Sequence, residues 1–170
     1  MHHTTLTPLP LTPDRFAPFG HVVAVDGQTP HIAAWPINDG NAMRHELLTD
    51  LQLTAEGGVP MLAIFRAQAR QFPLRVTDME RHQLGSQTFI PLGTQRFVVV
   101  VARPGSAPQP GDLHAFITDG CQGVVLAPGT WHHALLAVDG GDFAVIERKA
   151  AEVDCEVCRV VGVTLEAKSL

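Results

Sequence analysis

Tyrosine is absent from this chain of 170 residues, and lysine occurs only at Lys149 and Lys168. No phenol can then act as acid or base, and a Schiff-base mechanism in the body of the chain is disfavoured. Serine is confined to Ser86, Ser106 and Ser169, none of them in a G-x-S-x-G elbow. There is no G-x-x-x-x-G-K-[ST] or G-x-G-x-x-G loop, so no nucleotide or redox cofactor is expected. A substrate anion must be met by arginine, backbone N–H groups or a metal. Basic runs are missing and the formal net charge is −5. That argues against nucleic acid and against an anionic membrane surface as partners. The longest apolar run, Phe97 to Ala102, is far too short to span a bilayer. Residues 1–15 carry Pro8, Pro10 and Pro13 instead of an apolar export segment. With only Cys121, Cys155 and Cys158, the expectation is reduced thiols in the cytoplasm.

What is present reads as β structure. Residues 12–20 predict a short helical turn, with Thr12 as N-cap, Pro13 at the first helical position, and Phe16 and Phe19 on one face. A short strand follows at 21–26, and residues 41–52 are the best candidate for a second helix. From Gly57 onward come the runs 61–67, 87–93, 97–102 and 114–117, then "GVVLAPG" and "RVVGVTLEA". Pro91 suggests an edge or bulged strand at 87–93, and residues 135–148 suggest a hairpin around Asp139–Asp142. Strands this short, with turn signals this close, indicate an all-β sandwich or barrel. One domain over 1–170 is expected: an N-terminal elaboration (1–56), a barrel core (57–150) and a C-terminal tail or strand (151–170).

Two segments carry candidate chemistry. In "MERHQLGSQTFIPLG", Glu80 and His82 lie two apart and share a strand face. Gln87 follows, then an apolar strand and Gly93. Far along the chain, "APGTWHHALL" places Gly129 three residues before His132. In extended chain His132 and His133 face opposite ways, and His132 is the one expected inside. This pair of segments resembles the cupin superfamily, where a histidine- and glutamate-bearing segment and a glycine-x-x-histidine segment hold a metal inside a barrel. The corresponding residues here are Glu80, His82, Gln87 and His132. Such a set suits Ni²⁺, Mn²⁺, Fe²⁺ or Zn²⁺, with glutamine a weak ligand. The same residues can also line the barrel and hydrogen-bond without a metal. Cys155-x-x-Cys158 reads as two reduced thiols and Trp131 as a packing residue.

The strings "ERHQLGSQTFIPL", "FVVVVA", "AFITDGCQGV", "WHHALL" and "IFRAQ", with an Asn-x-Gly-x-x-x-Arg element at Asn38, Gly40 and Arg44, resemble the bacterial ureidoglycolate lyase family from about Phe16 to Arg148. After Arg148, "ERKAAEVDCEV" departs from the glycine-rich segment the family leads one to expect. The resemblance implies a cupin-like double-stranded β-helix or jelly-roll barrel with a small N-terminal α+β elaboration, a homodimer, and cleavage of (S)-ureidoglycolate to glyoxylate and urea in allantoin breakdown. That reaction needs a base for the hydroxyl, an acid for the departing nitrogen and a cation for the carboxylate. A divalent metal such as Ni²⁺ could chelate hydroxyl and carboxylate instead. On this reading His132 or His82 is base or metal ligand, and Glu80 is the other proton-transfer group or a ligand. Arg66, a lone charge in an apolar strand, is the candidate carboxylate clamp or else a surface arginine on the polar strand face. Gln87 is a candidate to hydrogen-bond urea, and Asn38 and Arg44 either reach the site from the N-terminal elaboration or sit on a solvated loop. Another cupin activity, isomerase or dioxygenase, and a non-catalytic small-acid-binding barrel are the competing readings.

Overall fold

The computed structural model describes residues 3–166; residues 167–170 of the expected tail lie outside that range. Fifteen strands are described: β1 (Thr4–Leu6), β2 (Leu9–Pro10), β3 (Gly20–Val23), β4 (Ala33–Ile37), β5 (Ala42–Glu46), β6 (Val59–Ala67), β7 (Leu74–Arg81), β8 (Gln87–Pro91), β9 (Phe97–Ala102), β10 (His114–Ile117), β11 (Gly123–Leu126), β12 (Trp131–His132), β13 (Leu136–Ala137), β14 (Gly141–Lys149) and β15 (Glu156–Leu165). The one α-helix among the described residues, α1 (Pro13–Phe16), is a single turn. Thr12 caps it by accepting from the Arg15 N–H, and Pro13 takes the position where a missing N–H costs nothing.

Two sheets face each other. The larger has eight strands in the order β1-β15-β7-β12-β9-β10-β2, with β13 also on β9; the other runs β3-β11-β8-β14-β6. Alternation decides which side chains meet between them. Phe97, Val99 and Val101 of β9 look toward Phe89 of β8, Val124 and Leu126 of β11, and Phe143 and Val145 of β14. Phe97 meets Phe143 edge-on, with ring centroids 5.5 Å apart. Each such side chain contributes about 1.5–3 kcal/mol on burial, so this layer holds the two sheets together. The other face of β9, Val98, Val100 and Ala102, packs in a second cluster with Met79, Trp131 and Val163. β9 is thus buried on both sides, as its unbroken apolar run predicts. The result is the mainly-β, cupin-like barrel expected.

Several local expectations change. Residues 42–46 form no helix: β5 pairs with β4 from Ala33↔Glu46 to Ile37↔Ala42. The turn between them places Asn38, Asp39 and Gly40 at φ of 53°, 54° and 86°, a conformation these residue types tolerate best. None of the residues 33–46 is buried, and this hairpin pairs with neither large sheet. The expected hairpin over 135–148 is split: β13 pairs with β9, whereas β14 pairs with β6 and β8. Gly140 and Gly141 let the chain cross from one sheet to the other. β8 is an interior strand, and Pro91 is tolerated because it is the last residue of it. The N-terminal strands are stitched into the sheets, β1 parallel to β15, β2 parallel to β10, and β3 antiparallel to β11.

Candidate active and metal-binding site

Glu80 and His132 are direct register partners across β7 and β12, and Val101 of the inter-sheet core lies on the other side of His132. Both side chains therefore share the inward face of the larger sheet. His82 lies one residue beyond the end of β7 and keeps the same parity as Glu80. The turn before β12 depends on Gly129, at φ +80°, whose N–H donates to His82 O at 2.6 Å. That bond ties the two sequence segments together. Trp131 faces the opposite way, fully buried, with the Arg81 guanidinium 4.4 Å over its ring. Its role is packing, as expected.

The two imidazoles are held in matching tautomers. His82 Nδ1 lies 2.6 Å from Asp154 O, and His132 Nδ1 lies 3.0 Å from Thr130 O. A carbonyl only accepts, so each Nδ1 carries a proton and, in the neutral ring, each Nε2 presents a lone pair. Both Nε2 atoms are buried without a hydrogen-bond partner, and the His132 residue is only 2% exposed. His132 Nε2 lies 3.5 Å from Glu80 Oε1, and the rings of His82 and His132 are 5.2 Å apart. One ligand atom from each of Glu80, His82 and His132 lies within 4.8 Å of the others. Two lone pairs and a carboxylate converging without a donor repel one another unless a cation or a proton lies between them. The donor set, imidazole and carboxylate, fits a borderline divalent ion. The interaction with His132 holds the Glu80 carboxyl below the usual carboxylate range, against burial, which pushes it up. Burial pushes the His133 imidazole below its ordinary value, and its Nδ1 is engaged with Ala134 O at 2.8 Å.

Asp154 locks this end of the barrel. Besides its carbonyl on His82, its carboxylate accepts from the Gln83 and Leu84 N–H groups at 2.9 and 2.7 Å. Cys155, next in the chain, directs its thiol at Glu80 Oε2 from 3.9 Å. A pocket of about 330 Å³ opens here, lined by His82, Gly85, Ser86, Glu147, Arg148 and Asp154 among others. Its arginine is fixed: Arg148 Nε donates to Ala55 O at 2.9 Å and Nη2 to Glu56 O at 3.2 Å. The side chain runs past Gly58 and Gly85, where a methyl group would collide with it.

The structure brings Glu80, His82 and His132 together. Gln87 is buried on β8, its Nε2 donating to Glu147 Oε2 at 2.8 Å and its Oε1 without a partner. Glu147 in turn lines the pocket that contains His82. Arg66 is elsewhere. It forms a two-bond ion pair with Asp142 on the outside, with its side chain 86% exposed. Asp142 stands five residues along β14 from Glu147, roughly 16 Å at strand rise. The lone charge in an apolar strand marks an edge strand here, because no residue of β6 is buried. Asn38 and Arg44 sit on the β4–β5 hairpin, where Arg44 pairs with Glu46 at 2.8 Å and covers the Trp35 ring. The structure does not bring either residue to the pocket. Sequence reading missed Glu147, Arg148 and Asp154. Glu147 was within reach, since Phe143, Val145 and Glu147 share one strand parity and only the last is charged.

The whole described chain finds its like among known proteins. A family model described as ureidoglycolate lyase matches residues 3–165. A ureidoglycolate lyase of Burkholderia cepacia is 43% identical over 148 residues, 86% of this chain and 81% of that one. One from Pseudomonas fluorescens (strain Pf0-1) is 40% identical over 153 residues, 89% of each chain. One from Azotobacter vinelandii is 40% identical over 148 residues, 86% of this chain and 87% of that one. With the match running the length of the barrel and across every residue of the Glu80–His82–His132 group, this chain belongs to the ureidoglycolate lyase family.

Proposed function

We propose that the protein releases urea from (S)-ureidoglycolate to leave glyoxylate, as a step of allantoin breakdown that frees nitrogen. The observation that carries this is the chain-length similarity to proteins named for that reaction. The site chemistry is compatible with it. The substrate carbon bears a hydroxyl, a carboxylate, a hydrogen and a ureido nitrogen. As the hydroxyl proton is removed, the oxygen closes to a carbonyl and the carbon–nitrogen electron pair leaves with urea. The nitrogen then takes up a proton, so the chain has only to carry one proton from oxygen to nitrogen. The Glu80–His132 pair, 3.5 Å apart, is set to hold it, with His82 beside them.

Glu80, His82 and His132 would also hold a divalent ion such as Ni²⁺, the histidines through Nε2, with Gln87 a weaker fourth candidate. When bound, such an ion supplies Lewis-acid polarisation of an α-hydroxy acid. Arg148, immobilised by two carbonyls at the pocket, is the better counter-charge for the substrate carboxylate than the surface-paired Arg66. Asn38 and Arg44 keep a substrate role only if the β4–β5 hairpin reaches a site, and a second copy is where it would do so. The protein is read as a cytoplasmic homodimer. Leu62 and Ile64, 69% and 54% exposed on β6, support the dimer. The free Cys121, Cys155 and Cys158 support the compartment. No described helix is long and apolar enough to cross a membrane.

The test mixes tag-free protein with racemic ureidoglycolate and follows glyoxylate and urea, with and without divalent metals. Consumption of one enantiomer, with severe losses in folded His132→Ala and Glu80→Ala, is expected. Release no faster than the spontaneous rate under every metal condition rejects the reading.

A further inference from the structure

Glu147 lies on the inward face of β14, in line with the fully buried Phe143 and Val145. Register sets it beside Gln87 on β8 and Met61 on β6. Among the described residues no cationic side chain pairs with it. Its carboxylate accepts one N–H, from Gln87 Nε2 at 2.8 Å. A carboxylate cannot donate, so the Gln87 amide must turn its nitrogen to Glu147 and keep its oxygen free. That Oε1 is buried without a donor, on a residue only 6% exposed. Two adjacent groups thus have acceptor capacity to spare at the edge of the pocket that holds His82 and Arg148. Ser86, on the same wall, gives its hydroxyl to Leu51 O and offers them nothing.

The buried Gln87 Oε1 is costly to leave unfilled, the half-buried Glu147 carboxylate faces the pocket beside it, and the ligand that satisfies both is one rich in N–H donors. A ureido group has three N–H bonds and a single carbonyl. We propose that Glu147, oriented by Gln87, is the subsite that binds the ureido N–H groups of the substrate and sets specificity for them. Proton transfer stays with Glu80, His82 and His132, and the anionic end lies toward Arg148. Binding the leaving group by its N–H bonds also keeps the nitrogen that must be protonated in a fixed place. The inference rests on the ureidoglycolate reading for the identity of the ligand, but not for the chemistry of the subsite.

The experiment measures binding by calorimetry of N-carbamoylglycine, a ureido acid lacking the reactive hydroxyl, and of glycolate, which lacks the ureido group. Glu147→Gln preserves shape and Gln87→Met removes the second acceptor; a thermal melt accompanies each variant. Both variants should weaken N-carbamoylglycine by about ten- to hundredfold, the range for losing hydrogen bonds to a charged partner. Glycolate binding should stay at the wild-type value. In turnover, Glu147→Gln should raise KM for ureidoglycolate and relieve inhibition by the product urea, leaving inhibition by glyoxylate intact. Unchanged N-carbamoylglycine affinity in the variants, equal loss of both ligands, or no binding to wild type overturns the subsite. A wild type that binds N-carbamoylglycine through Glu147 yet fails to cleave ureidoglycolate would sink the lyase reading and keep the subsite.

Discussion

Divalent metal should raise the unfolding temperature of this protein, and His132 should govern by how much. Two imidazole Nε2 atoms and a carboxylate pack within 4.8 Å of one another, and neither Nε2 has a hydrogen-bond partner. The backbone carbonyls of Thr130 and Asp154 fix both tautomers before any ion arrives, so little ordering remains to oppose binding. An ion that binds only the folded state at a hundred times its Kd adds about 2.7 kcal/mol of stability. For a chain of this size each kcal/mol is worth roughly 2–4 °C, so the expected rise is about 5–11 °C. The assay is a calorimetric melt of tag-free protein, stripped with chelator and then titrated with Ni²⁺, Mn²⁺ and Zn²⁺ in turn. His132→Ala removes one of three ligands and should abolish most of the rise, while Asn38→Ala, on the distant hairpin, should keep it. No rise with any of the ions refutes the metal assignment and leaves the site to proton transfer alone. An equal rise in His132→Ala would place the ion elsewhere.

Trp131→Ala should cost about 3–5 kcal/mol, the range for emptying a fully buried aromatic position, read as a lowered denaturant midpoint. Trp131→Phe should lose less stability and retain kcat, because the ring faces away from His132. Arg66→Ala should leave kcat/KM unchanged, whereas Arg148→Ala should raise KM, a contrast that steady-state kinetics resolves. Gly85→Ala puts a methyl 2.6 Å from Arg148 Cβ; with that strand end displaced, activity should fall more than the melting temperature does.

Much of the site was legible because two of its determinants are local. The two-residue spacing of Glu80 and His82 survives any strand geometry, and Gly129 three residues before His132 specifies a turn that only a left-handed residue closes readily. What failed was reading exposure from a single strand. Arg66 looked singular amid apolar neighbours, yet β6 is an edge strand whose Leu62 and Ile64 are themselves exposed. Residues 41–52 were the best candidate for a second helix, but Asn38-Asp39-Gly40 was a turn signal in plain view and paired 42–46 with 33–37 instead. The split of 135–148 between two sheets was not legible, since partner strands lie far off in sequence and nothing local names them. Glu147 needed the same non-local register to be placed beside Gln87.

Asp154 and β15 give the site an order of assembly. Glu80 and His82 are synthesised some seventy residues before the carbonyl and carboxylate that pin His82, Gln83 and Leu84 in place. The strand that flanks β7 comes later still, and β1 waits for it to form their parallel pair. Contacts of such long sequence separation close slowly. A nascent chain already carrying Glu80, His82 and His132 therefore emerges with a half-built centre. The geometry of His82 is complete only once the segment around Asp154 has docked, so the centre forms with the closing of the barrel and not before it.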